Sequence, residues 1–549
     1  MVEKVKHMSA KETFDVIVLG SGGAGCAAAL AASSLGLSVA LVEKDHLLGG
    51  GTADSLGTFW IANNSMAQAQ ALADDFESAL AYAKFVAGGQ EVPENLEAYI
   101  REGRRVLDAF VDMGVGLQLA LGLPDYFYPT GPHSCGDGRR MVEPKSIRRK
   151  DLGDFSDSIR RSNHNVQGVA WSDSVGWGGF ANRRNWPVAE LEQRVRDGVL
   201  SCGEALVGQF VAQMLKQGRV QILLDVQTKG LVTQDHRVVG VEKADGTILQ
   251  ARRGVILATG GYEGNVELVQ RFEGFPEWMN PFGPQNTGDA LTFGTQIGAS
   301  VARIGVNNSL FIGTGVPGRP EAFFSVGLRG LPMPGAIAVN QRGERFGDET
   351  QFQDMVMAFQ QYDRRNRKFL NLPAFMIFDD QFRQRYPVMD AMPGQPVHPD
   401  IACADTLVGL AEKIGIDPAG LVKTITQFNV DVAQGQDSVF GRGRSAFSRN
   451  NAGDKELKLN PQLAPVQTAP FYALPLKMGG VCSAGLLTDP HARVVGADGR
   501  VIEGLYACGN AAAPTFLGVG YQGGSSIGAG IVFGYLAAEH ASMQSVSSV

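Results

Sequence analysis

Apolar and polar positions fall in distinct blocks along this chain, and the blocks define most of its elements. Residues 16–19 are uniformly apolar, the pattern of a parallel strand covered on both faces. They run into Gly20-Ser21-Gly22-Gly23-Ala24-Gly25 and an alanine-rich stretch, which predicts strand, tight turn and helix. A second apolar run, 39–42, predicts a neighbouring strand that ends at Glu43. Leu96, Ile100, Leu107 and Phe110 sit at helical spacing behind Glu94 and Glu97, so 93–111 reads as an amphipathic helix. One long helical pattern covers 188–216. Short strands follow at 220–224, 230–233, 238–242 and 248–251, the last two joined at the turn Ala244-Asp245-Gly246. A buried strand then ends in Thr259-Gly260-Gly261, and Asn286-Thr287-Gly288-Asp289 opens another helix. Near the C-terminus, 504–507 reads as a strand that emerges into Cys508-Gly509-Asn510. A Gly/Ser run leads from there into a final helix.

The first turn carries the chemistry. Gly20 permits a tight turn, Gly22 lets a pyrophosphate approach the backbone, and Gly25 lets the helix pack close to the strand. The helix N-terminus, with its free N–H groups, faces the phosphates. Glu43 is placed to accept from a ribose hydroxyl, and its carboxylate disfavours a 2′-phosphate. A dinucleotide site is the reading, and Gly254 to Gly261 lacks the spacing of a second one, so no NAD(P)H site is expected.

Composition narrows the class. The chain has 549 residues, 44% of them hydrophobic and 19% charged, with 70 glycines, which describes a globular protein rich in close backbone approaches. A net charge of −7 gives no reason to expect nucleic acid. The first fifteen residues lack the apolar core of a secretory signal, and no apolar run is long enough for a membrane span. The six cysteines have no C-x-x-C spacing and suit a reduced cytoplasm.

An N-terminal dinucleotide fold completed by the last segment of the chain resembles the FAD-dependent fumarate reductase and 3-ketosteroid dehydrogenase superfamily. The resemblance rests on Gly20 to Gly25, Gly49-Gly50-Gly51-Thr52, Ile337 to Phe346 with its V-N-x-x-G-x-R-F form, and Gly504 to Asn510. It implies an α/β fold: a Rossmann-like FAD-binding domain with a parallel sheet and a β-meander, carrying an inserted α+β substrate-capping domain. The expected divisions are 1–299 and 464–549 for the FAD-binding domain and 300–463 for the cap. The residues implied to hold FAD are Gly20, Gly22, Gly23, Ala24, Gly25, Glu43, Lys44, Gly50, Gly51, Thr52 and Gly57. Later in the chain come Thr259, Gly260, Asp289, Gly509, Asn510, Ser526 and Ile527. Phe59-Trp60-Ile61 is implied to pass beside the flavin. No histidine occurs between Gly49 and Gly57, so FAD bound without a covalent link is expected.

Relatives move a hydride between the flavin and a carbon β to a carbonyl while a proton moves at the α-carbon. Fumarate and urocanate reductases use arginine for the proton and cations for the substrate carboxylate. Between Asn510 and Gly530 this chain has no Arg, Lys or His. Ketosteroid dehydrogenases place a tyrosine in that loop; the similar residue is Tyr521, with Gly524 offering a backbone N–H to the ketone oxygen. The family's second tyrosine, the α-proton base, is missing from Gly347 to Asp354, which leaves Tyr126, Tyr128 or Asp354. Gly523 stands where the delta-4(5α) type has a hydroxyl. The resemblance thus implies an FAD-dependent dehydrogenase of a 3-oxosteroid or smaller alicyclic ketone, reoxidised by a quinone or redox protein. An enoate reductase and an electron-transfer subunit are the alternatives.

Overall fold

The computed structural model describes residues 12–162, 164–305, 310–316 and 318–545. An eight-stranded sheet lies at its centre. Glu12–Leu19 runs parallel to Val39–Val42 on one side and to Ile248–Leu257 on the other, and Val220–Leu223 extends the sheet past Val39–Val42. Every residue of Val39–Val42 is buried, as its unbroken apolar run requires. Ile248–Leu257 is long enough to take two partners along its far edge. Its first half pairs antiparallel with Arg237–Lys243 and its second half parallel with Val501–Ala507. Thr228–Gln234 completes the meander. The parallel sheet with its meander, begun at the N-terminus and completed near the C-terminus, is therefore present.

Two elements differ from the sequence reading. Ile248–Leu257 is one continuous strand, with Gly254 at the point where a Cβ would stand 2.7 Å from the Gly504 carbonyl oxygen. Glycine there lets the last strand come close without interrupting the ladder. The helical pattern at 188–216 is two helices, Val188–Arg196 and Cys202–Gln217. Gly198 turns the chain at φ +65°, and Val199–Leu200 pairs with Ile147–Arg148 between them.

The first helix, Gly23–Ser34, packs along the last, Ser525–Met543. Ala24 is the meeting point. A Cβ at Gly534 would come within 2.6 Å of the Ala24 carbonyl oxygen, and one at Gly530 within 3.1 Å of its Cβ. Side chains this small let the helices approach closely, and the approach brings the two N-termini to one place.

A second, six-stranded sheet is inserted in the chain between the strands of the first. Ala374–Asp379 pairs antiparallel with both Ala336–Asn340 and Phe471–Gly480, and Leu310–Val316 pairs with the latter's far end. Within the V-N-x-x-G-x-R-F segment, Gly343 turns the chain at φ +67° and the return strand is a single bridge, Val339 to Arg345. Arg345 leaves the ladder because its buried guanidinium reaches Glu349 at 2.7 Å and Asp437 at 2.9 Å. Arg345 thereby ties this segment to Asp437, nearly a hundred residues further along the chain. Phe471–Gly480 belongs wholly to the second sheet, and Val301–Arg303 pairs with Ala484–Leu486 where the chain crosses. We propose that the inserted domain extends to Gly480 before the chain returns. Among the described residues no helix is long and apolar enough to cross a membrane, no cluster could hold a metal, and none of the six cysteines forms a disulfide.

Candidate active site

A cleft of about 1230 Å³, counting space open to solvent, runs along the C-terminal end of the central sheet, where ligands of such sheets bind. Its walls include Gly20, Gly22, Gly23, Ala24, Glu43, Lys44, Gly50, Gly51 and Thr52 from the first part of the chain. From later parts come Thr259, Gly260, Asp289, Gly509, Asn510, Tyr521, Ser526 and Ile527. Segments more than five hundred residues apart in sequence thus share one cavity.

The three glycines of the first turn separate by what surrounds them. A Cβ at Gly20 would meet the Ala258 carbonyl oxygen at 2.4 Å, and one at Gly25 the Gly20 carbonyl oxygen at 1.9 Å, so packing alone demands glycine at both. At Gly22 the nearest atom is Thr52 Oγ1, at 3.6 Å. Nothing in the protein forbids a side chain there. The bare backbone of Gly22 opens into the cleft, and a pyrophosphate is the group that needs it. The Thr52 hydroxyl accepts from the Gly23 N–H at 2.9 Å and fixes the turn. The residues therefore fit a dinucleotide.

Glu43 is buried and accepts from the Ser21 N–H at 3.0 Å and the Ser21 hydroxyl at 2.6 Å through one oxygen. The other accepts from the Asp45 N–H at 3.0 Å. Lys44 Nζ donates to Asp289 and to Thr287, both at 2.8 Å, which clamps the second strand to the helix Asp289–Gln296. The other cation among the described lining residues is Arg160, paired with Asp45. Both cations along the cleft thus already have a carboxylate.

Tyr521 also lines the cleft, buried, with its ring edge-on to Tyr126 at a centroid distance of 6.0 Å. The Gly524 N–H donates to the Tyr521 hydroxyl oxygen; burial outweighs that bond and pushes the phenol up to about 12. Burial, and then the proximity of Tyr521, raise the Tyr126 phenol further. Both rings are neutral near pH 7. Gly523 has a physical reason of its own: a Cβ there would lie 2.5 Å from the Tyr126 ring. The missing hydroxyl at that position makes room for Tyr126. Gly524 is the N-cap of the last helix, at φ +83°, so Ser526 and Ile527 present its first turn to the cleft.

The other candidates stand elsewhere. Tyr128 lines a separate surface cavity with Asp75, His133 and Arg139. Asp354 is exposed on the helix Phe352–Phe359, whose Gln353 instead reaches the Tyr521 carbonyl oxygen at 3.4 Å. Gly57 packs against the backbone of Cys202 and Gly203, and Gly25 is spent on helix packing; neither lines the cleft. Trp60 lies beneath the Tyr521 loop, its N–H donating to the Gly524 carbonyl oxygen at 3.2 Å. Arg160, Val226, Thr228, Phe282 and Phe311 line the cleft without having been singled out in the sequence. They come from loops and from two strands with no motif of their own.

A family model described as an FAD binding domain matches residues 15–527. The chain belongs to this FAD binding domain family. It is 32% identical over 541 residues to the 4-oxocyclohexanecarboxylate 2-dehydrogenase of Sinomonas cyclohexanicum, covering 96% of this chain and 92% of that one. It is 34% identical to a 3-oxosteroid 1-dehydrogenase of Mycolicibacterium smegmatis, covering 97% of both. The crystal structure of 3-ketosteroid delta1-dehydrogenase from Sterolibacterium denitrificans superposes with a TM-score of 0.86 at 30% identity, over 97% of this chain and 100% of that one. The protein is an FAD-dependent oxidoreductase acting on CH–CH groups, and its cofactor is FAD.

Proposed function

We propose that the protein dehydrogenates a ring ketone, a 3-oxosteroid or a smaller alicyclic ketone, to the α,β-unsaturated ketone. The observation that carries this reading is the buried phenol of Tyr521 in the wall of a cleft whose described cations are both paired. A neutral carbonyl suits such a site beside the phenol. The relatives' names are those of dehydrogenases of cyclic ketones, and the 4-oxocyclohexanecarboxylate of one carries a carboxylate besides its ketone. An enoate reductase of the arginine-dependent kind finds no support in this lining.

Tyr521 donates to the ketone oxygen. With the Gly524 N–H behind it, the donors form a relay, N–H to O–H to O=C, whose members polarise one another as negative charge grows on the oxygen. The α-proton passes to the phenolate of Tyr126, whose ring stands against Tyr521; the phenol, neutral near pH 7, must first release its own proton to solvent. As the α C–H electron pair forms the new double bond, the β-hydrogen leaves with its own pair. FAD held along Gly22, Gly23 and the first turn of the last helix would supply the hydride acceptor, with a quinone or redox protein as the external oxidant. The cofactor is held without a covalent link in this reading, because no histidine stands between Gly49 and Gly57.

The test is anaerobic bleaching of the bound flavin by a panel of steroid and cyclohexanone-type ketones. Tyr521→Phe should keep FAD and slow bleaching by about a hundredfold to a thousandfold, the scale of a lost oxyanion donor. Bleaching by no ring ketone, or at an unchanged rate in the variant, overturns the reading.

A further inference from the structure

We propose that Gln522 is a positioning residue that locks Tyr126 and Tyr521 into one rigid pair, a role that rests on the ring-ketone reading above. Gln522 is 3% exposed and does not line the cleft. Its Oε1 accepts two hydrogen bonds, from the Tyr126 N–H at 3.0 Å and from the Tyr82 hydroxyl at 2.5 Å. Its Nε2 donates to the Gly523 carbonyl oxygen at 3.1 Å. The backbone carbonyl of Gln522 accepts from the Ser525 N–H at 3.0 Å and the Ser525 hydroxyl at 2.5 Å. One side chain thus ties together the Tyr126 loop, the helix Phe76–Ala87 that carries Tyr82, and the turn into the last helix.

The chemistry of an amide suits this position. Two donors converge on one carbonyl oxygen, which has two lone pairs to meet them, while the NH₂ fixes which way the group faces. The Tyr82 hydroxyl also accepts from the Phe127 N–H at 3.4 Å, so the residues either side of the Tyr126 peptide are held from one point. Replacing Gln522 by an apolar residue leaves the Tyr126 N–H and the Tyr82 hydroxyl proton without this acceptor, and the loop must shift to satisfy them.

A second anchor shows that the fold invests in this juncture. Trp60 meets both loops: its N–H donates to the Gly524 carbonyl oxygen at 3.2 Å and its Nε1 to Asp125 at 2.9 Å. Asp125 in turn accepts from the Cys135 N–H at 2.8 Å and pairs with buried Arg140 at 3.1 Å. Trp60 fixes the outer ends of the two loops, and Gln522 fixes the residues between them. A donor and a base acting on adjacent carbons need this control, because a misplacement of about 1 Å costs roughly a hundredfold in rate.

The test compares wild type, Gln522→Leu, Tyr82→Phe and Tyr521→Phe as FAD-loaded full-length proteins. Gln522→Leu should keep FAD affinity and the flavin spectrum and bind the ketone within about threefold, yet bleach roughly a hundredfold more slowly. Tyr82→Phe, which leaves the Tyr126 N–H bonded, should show a smaller loss. Hydrogen exchange in peptides covering 124–127 should quicken in Gln522→Leu, a readout that needs no substrate. An unchanged bleaching rate, a rate loss that only follows FAD loss, or unchanged exchange each overturns the clamp. If instead Tyr521→Phe bleaches like wild type, the ring-ketone reading fails while exchange still decides the role of Gln522.

Discussion

Glu263 offers a quantitative test of the packing beside the cleft. Its carboxyl is 2% exposed; one oxygen accepts from the Cys482 N–H at 3.3 Å and the other has no hydrogen-bond partner. Burial pushes it up to about 7 from an ordinary 4.5, against the weaker pull of N–H and amide donors that include cleft-lining Asn286. Between those values the folded protein holds a proton that the unfolded chain releases. Stability is therefore full below pH 4.5, falls as pH rises through the window, and levels off above about 7. At about 1.4 kcal/mol per unit, the loss amounts to about 3 kcal/mol. Glu263→Gln has no proton to lose. Urea unfolding of the FAD-saturated proteins, followed by tryptophan fluorescence at half-unit steps from pH 4.5 to 8, gives the difference at each pH, and other titrating groups cancel in it. That difference should move in favour of the variant by about 3 kcal/mol across the window. A difference that stays constant with pH would falsify the assignment of Glu263 as a neutral buried acid.

Other consequences follow from the same geometry. Gly22→Ala should fold with wild-type stability and lose FAD affinity, because the added methyl meets only the space of the cofactor; Gly25→Ala, with its Cβ 1.9 Å from a carbonyl oxygen, should fail to accumulate as folded protein. Equal behaviour of the two, measured by thermal unfolding and flavin titration, would contradict the cradle. Gly523→Ala should bind FAD normally and bleach about a hundredfold more slowly, since the Tyr126 ring must retreat from a methyl placed 2.5 Å away. The rate of flavin bleaching should climb with pH between 7 and 10, because burial raises the Tyr126 phenol and the competent phenolate is scarce. A plateau below pH 9, or the same slope in Tyr126→Phe, would remove Tyr126 as the base.

The elements most legible in the sequence were those whose pattern is local. Val39–Val42 was readable from four consecutive apolar residues, and the strand–turn–helix at Gly20 from glycines with distinct steric jobs. The break at Gly198 was not, since a helical spacing on each side of a single glycine continues in phase on paper while the backbone turns at φ +65°. The cleft was half legible. Glycine motifs announced one wall, whereas Phe282, Phe311 and Arg160 lie in segments without any repeating signal.

The sequence by itself determined that a dinucleotide fold opens the chain and that the loop after Asn510 carries a phenol and no cation. These are statements about neighbours along the chain, where spacing and side-chain chemistry suffice. Which tyrosine stands with Tyr521, why Gly523 has no side chain, and what Gln522 holds were decided only by the tertiary structure. Tyr126 and Tyr128 are equivalent in one dimension; the turn at 125–128, gripped through Asp125 and Gln522, sends one ring toward Tyr521 and the other into a separate surface cavity. Contacts between residues hundreds of positions apart depend on how whole elements pack, and no local pattern encodes them.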